Sequence, residues 1–119
     1  MNTDEKLLEL AERLLKKTQN GSLIWERTAA FNVFQSAFPN STIKIAEYQS
    51  TEPEEGPEYG LSIYNEHGNQ IENTTDHTLS KMSHGRSFAV FSALYREARR
   101  RALGVDEAVD DLLGQLGDE

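Results

Sequence analysis

The residues best suited to chemistry lie in the run Leu94-Tyr95-Arg96-Glu97-Ala98-Arg99-Arg100-Arg101. Four of the six residues from Arg96 to Arg101 are arginine and none is lysine. A planar guanidinium donates paired hydrogen bonds that match phosphate or carboxylate, whereas a lysine supplies a point charge. On a helix, Arg96 and Arg100 stand one turn apart on the same side, Arg99 lies on a neighbouring stripe, and Arg101 turns away. A purely structural role is open to the same residues, because cations near a helix C-terminus suit its dipole and pair with acidic surface. Lysine would serve that role as well as arginine does. Tyr95 and Phe91 accompany the cluster, and Trp25 sits in an earlier strand-like segment with Arg27 two positions on, hence on the same strand face. An aromatic platform beside an arginine fork is what a base and a phosphate together require. A lone tryptophan equally fills a core. The candidate ligand-binding residues are Arg96, Arg100 and Arg99, with Tyr95 and Trp25 in support.

Other chemistries lack a carrier. His67, His77 and His84 fall in expected turns or loops and do not have metal-ligand spacing. No Gly-x-Ser-x-Gly elbow occurs, and neither Gly-rich phosphate-cradling pattern is present. Glu52, Glu54, Glu55 and Glu58 cluster in one polar stretch, where solvation accounts for them. The chain has no cysteine, which removes thiolate nucleophiles, disulfides and cysteine-ligated zinc. No catalytic residue, metal ligand or cofactor is assigned.

With 119 residues, 37% of them hydrophobic and 27% charged, the sequence suits one domain over 1–119 that folds in water. No apolar run approaches the length of a membrane span and no leader pattern opens the chain, so the expected setting is the cytoplasm. The net charge of −8 argues against duplex nucleic acid as a partner. That charge is segregated: Arg86 to Arg101 holds five arginines and one acid, so the rest of the chain is more acidic than its total.

The elements that must position these residues follow from periodicity. Leu7, Leu8, Ala11, Leu14 and Leu15 form one apolar stripe on a helix over residues 4–17, with Thr3 as N-cap and Asn20-Gly21 as exit. From Ser22 to Ser50 the pattern alternates, through Leu23, Trp25 and Arg27, then Phe31 to Phe38, then Ile43 and Ile45, which gives three antiparallel strands. Ser50 to Pro57 is an acidic loop. Tyr59, Leu61 and Ile63 make a fourth strand, Glu66-His67-Gly68-Asn69 a turn, and Ile71 a short fifth. After a polar stretch from Thr74 to Ser83, Phe88, Phe91, Leu94, Tyr95, Ala98 and Ala102 predict a long helix ended by Gly104. Asp106 caps a last helix through Leu116. The expected fold is α+β, an antiparallel sheet of four to five strands with an N-terminal helix and two C-terminal helices packed on one face. The alternation around Phe31 and Val33 puts apolar side chains on the second sheet face as well, which would make that face a surface for homo-oligomer formation.

The leucine-rich first helix, Gly-Ser-Leu-Ile-Trp-Glu, Leu-Tyr-Arg-Glu-Ala-Arg-Arg and the closing Ala-Leu-Gly-Val-Asp-Glu-Ala-Val-Asp-Asp-Leu-Leu resemble a group of small uncharacterised bacterial and phage proteins. In size, layout and arginine-bearing helix the chain is more distantly similar to the phage anti-Thoeris sponge family. That resemblance implies a non-enzymatic oligomer that sequesters cyclic ADP-ribose signals, with Arg96 and Arg100 on the phosphates.

Three functions follow as expectations. The first is non-catalytic capture of a small anionic, nucleotide-type ligand. The second is a protein-interaction module whose arginine helix meets an acidic surface. The third is an enzyme assembled from scattered carboxylates and histidines. A preformed hollow lined by arginines and an aromatic separates the first from the second, which requires a flat arginine-acid interface.

Overall fold

The computed structural model describes residues 1–49 and 52–117. Helix α1 spans Thr3–Gln19 and buries Leu7, Leu8, Ala11 and Leu14. Its N-cap is Asn2, whose side chain accepts from the Glu5 N–H at 2.8 Å, so Thr3 is the first helical residue and not the cap. Strands β1 (Glu26–Arg27), β2 (Val33–Phe38), β3 (Ser41–Tyr48), β4 (Glu58–Asn65) and β5 (Gln70–Thr75) form one antiparallel meander in sequence order. The α+β expectation holds, with five strands.

Several boundaries differ from the periodicity. Strand β1 has only two residues, and Leu23 and Trp25 precede it. Phe31 lies in the turn before β2. Strand β5 runs on through Asn73, Thr74 and Thr75, because pairing to Ser62, Leu61 and Gly60 stabilises polar residues that would not form a strand alone. The expected polar connection contains helix α2, Asp76–Ser83. Thr75 caps it, its hydroxyl accepting from the Thr78 N–H at 3.1 Å, so His77 is helical. Of the acidic loop expected from Ser50 to Pro57, Ser50 and Thr51 lie outside the described residues, and Pro53–Glu55 forms a single 3₁₀ turn.

Helix α3, Arg86–Leu103, is joined to α2 through His84 and Gly85, both left-handed. Phe91, Leu94, Tyr95 and Ala98 of α3 meet Phe34, Ile43, Ile45, Tyr59 and Leu61 of the sheet in one core with α1 and Leu79 of α2. The opposite sheet face carries Gln35, Thr42, Lys44, Ser62, Tyr64 and Asn73, placed there by the register with the buried strand residues. It is largely polar, with Val33, Ala37 and Ala46 as its apolar strand residues on β2 and β3. Of the two residues expected to make this face apolar, Val33 is on it and Phe31 lies off the strand.

Helix α4, Val105–Leu116, departs most from the expected packing. Gly104 in the left-handed region (φ 66°) ends α3 and starts α4, so Asp106 lies inside α4 and does not cap it. No residue of α4 is buried. No helix among the described residues is long and apolar enough to cross a membrane.

Candidate functional site

Beside the C-terminal half of α3 lies a groove of about 440 Å³ whose walls include Arg27, Phe31, Glu47, Tyr95 and Arg99. Each wall has a local cause. The segment between β1 and β2 is tied down at both ends. The Thr28 hydroxyl accepts from the Ala30 N–H at 3.2 Å and lies 2.9 Å from the Val33 carbonyl oxygen, to which it donates. Asn32 then clamps this segment to β3: its Nδ2 donates to the Glu47 carbonyl at 2.8 Å, while the Glu47 N–H donates to the Asn32 carbonyl at 3.1 Å. Phe31, held between these anchors, is 92% exposed.

Tyr95 forms the base of the groove. Its ring packs against Phe34 at 5.7 Å and Tyr59 at 5.6 Å between centroids, inside the core. Tyr59 donates its phenolic hydrogen to Glu47 Oε2 at 2.9 Å and thereby orients that carboxylate. Burial, then the hydrogen bond and charge of Glu47, push the Tyr59 pKa up to about 12, against a smaller opposing pull from Arg96. Tyr95 is raised too, first by burial and then by Glu47, with Arg99 partly offsetting. Both phenols are neutral hydrogen-bonding groups at neutral pH.

The arginines divide into two sets. Arg13, Arg86, Arg100 and Arg101 each have a carboxylate partner: Glu9, Glu12, Asp106 and Glu97. Arg101 also donates to the Gln19 carbonyl at 3.3 Å. Among the described residues, no carboxylate forms an ion pair with Arg27, Arg96 or Arg99. Two of these three, Arg27 and Arg99, line the same groove.

The sequence-derived candidates are thus separated. Arg99 and Tyr95 come together in the groove. Arg96 and Arg100 do not line it; Arg100 holds the first turn of α4 through Asp106, and Arg96 is exposed one residue from Tyr95. Trp25 is 4% exposed, packs in the core, and donates its Nε1–H to Thr18 Oγ1 at 2.9 Å. Trp25 and Arg27 do not form a shared surface, because Trp25 precedes β1 and turns inward while Arg27 is exposed. Phe31 and Glu47 were missed. No local spacing marks them, because strand register and the Asn32 clamp are what bring them to Tyr95 and Arg99.

A second groove brings Asp76 and His77 together with Glu58 and Phe88. Asp76 is committed there to structure, accepting the Tyr59 N–H at 2.7 Å. No cluster of three or more metal-ligating side chains occurs among the described residues. The chain matches no protein-family model, no curated protein and no solved structure.

Proposed function

We propose that the protein is a non-catalytic, cytoplasmic binder of a small anionic ligand of nucleotide type, held in the groove between α3 and the β1–β2 segment. One observation carries this reading: Arg27 and Arg99 line a single hollow and neither is neutralised by an ion pair among the described residues. A pair of unpaired guanidinium forks is a receptor for phosphate oxygens. The remaining walls fit the rest of a nucleotide. Phe31 offers an exposed ring face for a base, and Glu47, fixed by Tyr59, accepts from a hydroxyl or amino group. The two anchors on the β1–β2 segment preorganise the wall, which lowers the ordering cost of binding. Arg99 and Tyr95 keep their assignment; Arg27, Phe31 and Glu47 replace Arg96, Arg100 and Trp25.

The test is thermal unfolding against cyclic mononucleotides, cyclic ADP-ribose isomers and inorganic phosphate. A ligand bound by the folded state alone adds about 2.7 kcal/mol at a hundredfold excess over its Kd and raises the midpoint. A shift with one nucleotide class that phosphate does not reproduce supports the reading. A flat response across the panel removes it and favours the interaction module.

That second reading, an arginine-rich helix meeting an acidic partner surface, draws on Arg96, which is exposed on α3 and forms no ion pair among the described residues.

A further inference from the structure

Helix α4 is amphipathic yet none of its residues is buried, and its contact with α3 is at the junction between the two helices. Val109, Leu112, Leu113 and Leu116 are between 47% and 75% exposed. Its charged residues are Asp106, Glu107, Asp110 and Asp111, with no basic residue among the twelve. A single glycine connects it to α3, and the ion pair of Arg100 with Asp106 holds its first turn against the end of that helix. The apolar stripe is thereby left open in the single copy.

A complementary seat exists elsewhere on the same surface. Between α1 and the β2–β3 hairpin lies a hollow of about 270 Å³ lined by Leu10, Leu14, Leu23, Phe38 and Ile43. The charged side chains on its wall are Arg13 and Lys17, both cationic. An apolar stripe on a helix whose charged residues are all acids is thus matched, on another part of the molecule, by an apolar hollow whose charged lining is Lys17 and the Glu9-paired Arg13. Matching apolar shape with opposite charge at the rim is the pattern of an interface that selects its partner and register.

We infer that α4 of one copy docks in the α1–β2–β3 hollow of a second copy, and that the two copies exchange α4 reciprocally in a closed dimer. Reciprocity matters for area. One twelve-residue helix covers a small surface, whereas two equivalent seats approach the roughly 1,200–2,000 Å² of a specific interface. A twofold arrangement also closes the assembly, while one-way insertion would propagate into a chain of copies. The hollow shares no lining residue with the proposed ligand groove, and the variants below change none of that groove's residues, so the two tests are independent.

The experiment is sedimentation equilibrium of the full chain from low concentration up to about 100 μM, a hundredfold above a micromolar Kd. Wild type should reach twice the chain mass and no more. Leu112→Ser with Leu116→Ser should remain monomeric with unchanged circular dichroism, since both leucines are exposed in the single copy. Arg13→Glu with Lys17→Glu should weaken the dimer at least about tenfold, and mixing that variant with Asp110→Lys/Asp111→Lys should restore a mixed dimer through swapped charges. A monomer at every concentration overturns the inference, as does a particle larger than two copies. Dimerisation that survives the leucine changes excludes α4. Loss of the dimer with the leucine changes but not with the Arg13 and Lys17 reversals would show α4 docking somewhere other than this hollow.

Discussion

Tyr59 donates its hydroxyl hydrogen to Glu47 across the β3–β4 ladder at 2.9 Å, and the two residues are direct partners in the strand register. The contact joins core to groove: the Tyr59 ring packs against Tyr95 inside, while Glu47 lines the proposed ligand site. The fold thus fixes a carboxylate in the groove that Arg27 and Arg99 also line.

The contact has a pH signature. With the folded-state pKa near 12 and the unfolded value at about 10, the unfolded chain loses this proton first as pH rises. The stabilisation is complete below about pH 10 and is lost through about pH 12. Urea midpoints of wild type and Tyr59→Phe should therefore converge and then cross within that window, because other groups titrate in both and a rise from 10 to about 12 is worth more than the single hydrogen bond. At neutral pH, Tyr59→Phe should cost about 1 kcal/mol for the missing hydrogen bond. A constant difference from pH 9 to 12 would contradict the assignment.

Asp76 runs in the opposite sense. Burial raises its pKa above the usual carboxylate value, although the Tyr59 N–H it accepts pulls the other way. Ionisation is therefore a cost to the folded state at neutral pH, and protonation on acidification relieves it. Asp76→Asn, which keeps an acceptor, should be at least as stable as wild type at pH 7, with the difference vanishing below the unfolded value of 3.8. Asp76→Ala leaves the Tyr59 N–H without its acceptor and should cost about 1–3 kcal/mol. Chemical denaturation of both variants at pH 7 and pH 3.5 checks the pair.

Trp25 separates core from site. Its indole N–H reaches Thr18 Oγ1, which in turn donates to the Leu14 carbonyl at 2.7 Å, tying the approach to β1 to the end of α1. Trp25→Phe should lose about 1–3 kcal/mol, because the donor goes and Thr18 keeps one partner fewer. Trp25→Ala should lose about 3–5 kcal/mol. Ligand affinity, measured where Trp25→Phe is still fully folded, should stay at the wild-type value.

Gly60 lies under the ring of Tyr48 on the open sheet face. A Cβ there would stand 2.8 Å from Tyr48 Cε2, too close to keep. Gly60→Ala should cost about 1 kcal/mol, at the low end for overpacking because the Tyr48 ring is nearly half exposed and can swing aside. In a Tyr48→Ala background the same change should cost nothing measurable, a coupling that denaturation of the four proteins reads directly.

The sequence made the fold legible wherever burial imposed a period. The stripe of α1, the alternation of Ile43 and Ile45, and the run of Phe91, Leu94, Tyr95 and Ala98 each mark one buried face, while Phe88, on the same spacing, is half exposed. Helix α2 was hidden because Leu79 and Met82 are its only apolar residues; its signal was the Thr75 cap followed by Asp76. The exposure of α4 was hidden for a different reason. Its stripe of Val109, Leu112, Leu113 and Leu116 has the same spacing as a buried helix, and periodicity does not say which surface covers it. At the site, Tyr95 and Arg99 were legible from one helix, but Arg27, Phe31 and Glu47 join them only through strand register and the Asn32 clamp.

The central claim, that Arg27 and Arg99 form an anion receptor, is tested most directly by calorimetric titration with the nucleotide that gives the largest thermal shift. Wild type, Arg27→Gln/Arg99→Gln and Arg96→Gln/Arg100→Gln would be compared at one ionic strength. Each lost charge-assisted hydrogen bond is worth roughly 1.5–3 kcal/mol, so the first double variant should weaken binding at least about a hundredfold. The second should stay within about threefold of wild type, since Arg96 is exposed and Arg100 is already paired with Asp106, so that both act from outside the groove only through screened attraction. Equal losses in both variants, or a loss confined to Arg96 and Arg100, would contradict the claim and return the site to the outer face of α3.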